Sequence, residues 1–185
     1  MPGDRDGGHP FAWAGCDDEA SACARVATTA DAAGVPTASA GTAIVDALRT
    51  LGSGRVALYA TYYQPDWREA WRQIVEKCGF DVVVCRNMAD EGTAGPVADG
   101  DDGWDMGPEL MRVAVERAAI HRDEFDALVV TGAGCRTSSS IEDLESLAGD
   151  PVVGAATALF RAVARLAGLE LRPDSLGRLT EAALP

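Results

Sequence analysis

The sequence predicts an α/β protein: a parallel sheet with flanking helices. Three observations carry that expectation. Short apolar runs alternate with amphipathic stretches along most of the chain, the signature of repeated strand–helix units. The helical stretches are punctuated as helices are, with Pro65 near the start of one and Gly34, Gly52 and Gly79 just past the ends of three. At 185 residues the chain is also long enough for one domain with a real core, or for two small lobes sharing one.

Element by element, "FAWAG" (11–15) is expected as a first short strand and "DDEASACARVATTADAAG" as an Ala-rich helix stopped by Gly34. "VPTAS" (35–39) is expected as a second strand, and "GTAIVDALRTLG" as a helix with Ile44, Val45 and Leu48 on one face. "RVALYA" reads as a buried strand, "PDWREAWRQIVEKCG" as an amphipathic helix and "FDVVVCR" as a further strand. A Gly-rich stretch then crowds Asp90, Glu91, Asp99, Asp101, Asp102 and Asp105. It reads as a solvated loop; the sharper alternative, a divalent-metal loop, meets a spacing that fits no calcium template. "GPELMRVAVERAAIHR" follows as a helix and "FDALVVTG" as a strand. "SSIEDLESLAG" opens with a start signal, since Ser139 or Ser140 can cap and Glu142 and Asp143 fall in the first turn. "PVVGA" is the last strand and "ATALFRAVARLAGL" the last long helix. The chain thus divides into a disordered lead-in (1–10), a short first α/β set (11–53), a complete four-strand lobe (54–169) and a weakly patterned tail (170–185).

Composition narrows the function. A net charge of −13 is the wrong sign for a phosphate backbone, so nucleic acid is not an expected partner. A small anion remains possible, because converging backbone N–H groups override the global field locally. No run of about 18 apolar residues predicts a membrane span, and no basic, apolar leader is read at the start. The five cysteines are odd in number, widely spaced and free of any CxxC, and His9 and His121 lie far apart. Structural zinc is therefore not expected, and a reduced cytoplasmic protein without metal or cofactor is the default.

In parallel sheets ligands sit beyond the carboxyl ends of the strands. That places the candidate site in four segments: 14–17, 37–41, 60–65 and 131–137. The last offers Thr131, Gly132, Ala133, Gly134, Cys135, Arg136 and Thr137. Its small residues let backbone N–H groups converge at a helix start, as an anion cradle does. The helix end and Arg136 favour a thiolate at Cys135; the alternative is a tight Gly-Ala-Gly turn with Cys135 as a small packed side chain. Cys16 follows Gly15 and precedes Asp17, Asp18 and Glu19, carboxylates that disfavour a thiolate. Cys23, Cys78 and Cys85 read as structural. Thr61, Tyr62 and Tyr63 follow the buried strand, where a tyrosine can donate to a carboxylate or enolate or simply cover the core. Ser39 and Thr42 offer hydroxyls at a strand-to-helix turn, or a helix cap.

Together these stretches resemble the aspartate/glutamate racemase superfamily, on its maleate cis-trans isomerase and arylmalonate decarboxylase branch. "GVPTASAGTAIVDALRTLGSGRVALYATYYQPDW" and "ALVVTGAGCRTSSSIEDLESLAGDPVVGAATALFRAVARLAGL" carry the resemblance, over about 11–169. It implies two pseudo-symmetric Rossmann-like lobes, the first incomplete here, and cofactor-free chemistry on a small carboxylate held by hydroxyls and backbone N–H groups. It also implies a cysteine acid/base or nucleophile. An ungapped match puts Gly132, not Cys135, at the second lobe's cysteine position, and Gly15, with Cys16 one residue on, at the first. Three readings stay open. The first is an isomerase, decarboxylase or racemase acting at the carbon next to a carboxylate, with Cys16 or Cys135 as the thiol and Tyr62 as stabiliser. The second is a divergent lyase or hydrolase that needs no thiol. The third is a non-catalytic binding homologue, whose exposed sheet edge a second copy or a partner subunit covers.

Overall fold

Four strands line up in one parallel sheet in the order β2-β1-β3-β4. The computed structural model describes residues 13, 15–60, 65–87, 90, 107–132, 134–172 and 175–182. In chain order the elements are α1 (Glu19–Ala33), α2 (Ala40–Thr50), β1 (Arg55–Ala60), α3 (Pro65–Lys77), β2 (Asp81–Asn87) and α4 (Pro108–Ala118). They continue with β3 (Ala127–Thr131), α5 (Ile141–Ala148), β4 (Val152–Gly154), α6 (Ala155–Leu166) and α7 (Arg178–Glu181).

Side-chain alternation sorts the core into two layers. Val56, Leu58, Ala127, Val129 and Val153 point to one face, where α2, α3 and α6 bury Ile44, Leu48, Ile74, Val75 and Ala158. Ala57, Tyr59, Leu128, Val130 and Val152 point to the other, under Met111 and Val115 of α4 and Ile141 and Leu144 of α5. A sheet covered on both faces explains why its strands are apolar throughout. On the first face Arg161, buried on α6, donates to Asp46 at 2.5 Å and Thr50 at 2.9 Å. An arginine is tolerated there because its charge is paired.

Of the two expected strands before β1, one is absent, and the other, 11–15, lies mostly outside the described residues. Trp13 lies in a single 3-10 turn, and the amide of Cys16 donates to its carbonyl at 3.0 Å. Trp13 is fully buried and meets Trp71 edge-on, with ring centroids 5.9 Å apart. Residues 35–39 form no strand. Val35 is 58% exposed, Pro36 has no N–H to give a ladder, and Ser39 ends the stretch as the N-cap of α2. Among the described residues, therefore, 11–53 contributes helices and no strand. Helix α5 begins at Ile141 after a 3-10 turn at Ser138–Ser140, and the N-cap Ser140 makes no side-chain capping bond.

Residues 175–182 are more firmly built in than a weak pattern suggests. Leu176 and Leu179 are buried, and the buried Glu145 carboxylate accepts from the amides of Val152 (3.2 Å) and Arg178 (3.0 Å). Burial pushes the Glu145 carboxyl above the usual glutamate range, against the pull of those two amides. At the entry end of the sheet, Asp126 accepts from the Arg55 amide (2.8 Å) and guanidinium (2.7 Å), which hold its carboxyl below the usual range. Among the described residues no helix is long and apolar enough to cross a membrane.

Candidate active site at the carboxyl edge of the sheet

The strand register builds this edge. Ala60 at the end of β1 pairs with Asn87 at the end of β2 and with Thr131 at the end of β3, so three strands finish on one row. Helices α2, α3, α4 and α6 all start at this edge and run away from it, since α2 leads into β1 and α3 leads into β2 at the other end.

Beyond Thr131 the chain turns sharply. Gly132 has φ +121°, a conformation that L side chains adopt only under strain. The Cys135 amide returns to the Gly132 carbonyl at 3.2 Å, and the Cys135 thiol donates to the Thr131 carbonyl at 3.1 Å. Cys135 is buried among the apolar side chains under α4 and α5, so its sulfur closes the turn from inside. Arg136 is exposed and reaches the start of α4, where a Cβ on Gly107 would lie 3.9 Å from its Nη2. Thr137 is buried against Gly154, the last residue of β4. A glycine turn, a guanidinium and two nearby helix starts are the chemistry of an anion site.

The other sequence candidates divide. Ser39 and Thr42 stand at this edge on the first turn of α2, as a capping pair: their hydroxyls lie 2.8 Å apart and the Thr42 amide donates to Ser39 Oγ at 3.3 Å. Thr131 is buried and its hydroxyl donates to the Tyr59 carbonyl at 3.4 Å. Gly15 and Cys16 are not part of this group. Lys77, at the far end of α3, donates to the Asp17 carbonyl at 3.1 Å. Arg49, at the far end of α2, grips Glu19 and also reaches the Cys78 carbonyl. These contacts hold the segment beside Cys16 toward the entry end of the sheet. Cys16 packs in the first-face core and Cys135 in the second-face core, so the two thiols lie on opposite sides of the sheet. Thr61, Tyr62, Tyr63 and Ala133, and the acidic stretch beyond Asp90, lie outside the described residues. Cys78 and Cys85 are half-buried, and burial pushes both thiols up to about 11, which suits packed, unreactive cysteines.

Sequence reasoning missed a polar group at the end of β2. Asn87 is buried; its amide donates to Asp90 Oδ2 (2.9 Å) and its side-chain oxygen accepts from the Asp90 amide (2.8 Å). Asp90 in turn pairs with Arg68, in the first turn of α3. The available signal was Arg68 itself, a cation one turn into a helix that follows a strand. A cleft of about 490 Å³ opens between α4 and α5, bordered by Pro108, Arg112, Ser140 and Leu147; none of the sequence candidates lines it.

Residues 19–180 match the family model of arylmalonate decarboxylase. The chain belongs to the arylmalonate decarboxylase family. The structure of unliganded arylmalonate decarboxylase is similar over 90% of this chain and 69% of its own, with 26% identity and a TM-score of 0.74. Nocardia farcinica maleate cis-trans isomerase bound to Tris is 25% identical, over 89% of this chain and 63% of its own, with a TM-score of 0.68. Maleate isomerase of Pseudomonas putida shares the fold at 22% identity, over 95% of this chain and 65% of its own, with a TM-score of 0.71. No curated protein matches the chain significantly by sequence. The arylmalonate decarboxylase match agrees with the branch that the sequence resembles, and the parallel sheet flanked by helices is the fold expected of it.

Proposed function

We propose that this member of the arylmalonate decarboxylase family is a cofactor-independent decarboxylase or isomerase. It would act at the carbon next to a carboxylate of a small dicarboxylic acid, at the carboxyl edge of the sheet. The observation that carries the reading is the turn after β3, where the Gly132 backbone and the Arg136 guanidinium share a corner with the start of α4. Arylmalonates and maleate, for which the similar structures are named, are both small dicarboxylates that such a corner suits. Tyr62, directly after β1 in sequence, is the proposed donor to the enolate that forms when the carbon gives up carbon dioxide or a proton.

Neither candidate thiol is given the reacting role. Cys16 is held toward the other end of the sheet, Cys135 faces inward onto Thr131, and Gly132 stands where the resemblance places a cysteine. A second reading, in which Cys135 transfers the proton, is favoured by one fact: it is the candidate thiol that this edge holds. The site reading is tested with phenylmalonate decarboxylation in wild type and Arg136→Gln, and the second reading with maleate isomerisation, since the maleate double bond turns only after a nucleophile such as a thiolate has added to it. Turnover with a KM raised about tenfold or more in the variant, the worth of one charge-assisted contact, is expected. No turnover and no saturable binding of either acid would overturn it; binding without turnover would favour a non-catalytic homologue.

A further inference from the structure

We infer that Arg68 is a specificity-determining residue: it receives the second, non-reacting carboxylate and makes the site prefer dicarboxylates to monocarboxylates. The inference rests on the proposed carboxylate chemistry at this edge and adds a residue to it.

Arg68 lies in the first turn of α3, which starts at the carboxyl edge directly after β1. Its partner Asp90 is fixed to the end of β2 by the reciprocal bonds with Asn87. Asn87 and Thr131 both pair with Ala60, so the ends of β2 and β3 are two strand spacings apart, about 10 Å. That is a backbone spacing, and a four-carbon diacid with a hydrogen bond of about 2.8 Å at each end is of the same length scale. The guanidinium is also in a state to take a ligand. Its side chain is 24% exposed, so it is held in place yet reachable. Asp90 engages Nη1, while a guanidinium presents five N–H donors in a fork suited to a carboxylate. Asp90 thus acts as the resident carboxylate, aiming Arg68 and competing with the ligand for it.

The test compares equilibrium binding of succinate and butyrate, diacid and monoacid of equal chain length, to wild type, Arg68→Gln and Asp90→Asn. Wild type is expected to prefer succinate at least tenfold. Arg68→Gln should abolish that preference while butyrate binding stays within threefold. Asp90→Asn, by removing the competitor, should tighten succinate several-fold and leave butyrate unchanged, a gain that misfolding cannot produce. A succinate preference that survives in Arg68→Gln, or fails to rise in Asp90→Asn, overturns the role of Arg68 and leaves the carboxylate site standing. Wild type binding neither acid overturns both.

Discussion

The thiol of Cys135 donates to the carbonyl of Thr131 at 3.1 Å, tying the turn after β3 to the last residue of the strand. The cysteine that stands out in "VVTGAGCRT" therefore serves the turn's shape. Cys135→Ala is expected to cost about 1–2 kcal/mol, the sum of a small cavity and a lost hydrogen bond. Its kcat/KM should stay within about threefold of wild type, as for a group outside the reacting set. Thermal melting and steady-state kinetics on the same preparation check this; a loss of 100-fold or more in kcat/KM would reinstate the thiol mechanism.

Gly154 and Thr137 form a steric lock between β4 and the same turn. A Cβ on Gly154 would stand 2.2 Å from Thr137 Oγ1 and 3.1 Å from its Cβ. Gly154→Ala is expected to destabilise the fold by about 1–3 kcal/mol through overpacking, and Thr137→Ala should recover part of that loss. A double-mutant cycle in urea measures the coupling; strictly additive effects would show that the two residues do not meet.

Glu145 makes stability depend on pH. Burial raises its folded-state pKa above the unfolded one, so the folded state holds the proton more tightly. The contribution is fully present below the ordinary glutamate range and is lost as pH rises through the raised folded value. Glu145→Gln removes this titration. The melting temperature of wild type relative to the variant should fall as pH is raised from 4 upward, and a difference that is flat or rises would contradict the assignment. Screening is limited because the carboxylate is mostly enclosed by Val152, Gly177 and Arg178.

The sequence made the four strands from β1 to β4 and the helices between them legible, because their apolar runs match a sheet covered on both faces. It misled at 35–39, where a short apolar stretch resembles a strand. A strand exists only with a ladder partner, and neither pattern nor propensity reveals whether one is within reach. The turn after β3 was readable from its small residues, but the direction of the Cys135 side chain was not. The group formed by Arg68, Asn87 and Asp90 was missed because it joins a local turn after β2 to the first turn of α3, from residues that carry no motif.

The most direct test of the central claim is proton NMR of deuterium incorporation at the α-carbon, in D2O, for a panel of small dicarboxylic acids including phenylmalonate. It is run on wild type and on the double variant Cys16→Ala/Cys135→Ala. Protein-dependent incorporation or decarboxylation is expected for at least one acid, and it should persist in the double variant. Its absence across the panel, or its loss when both thiols are removed, would contradict chemistry beside a carboxylate carried out at this edge without a cysteine.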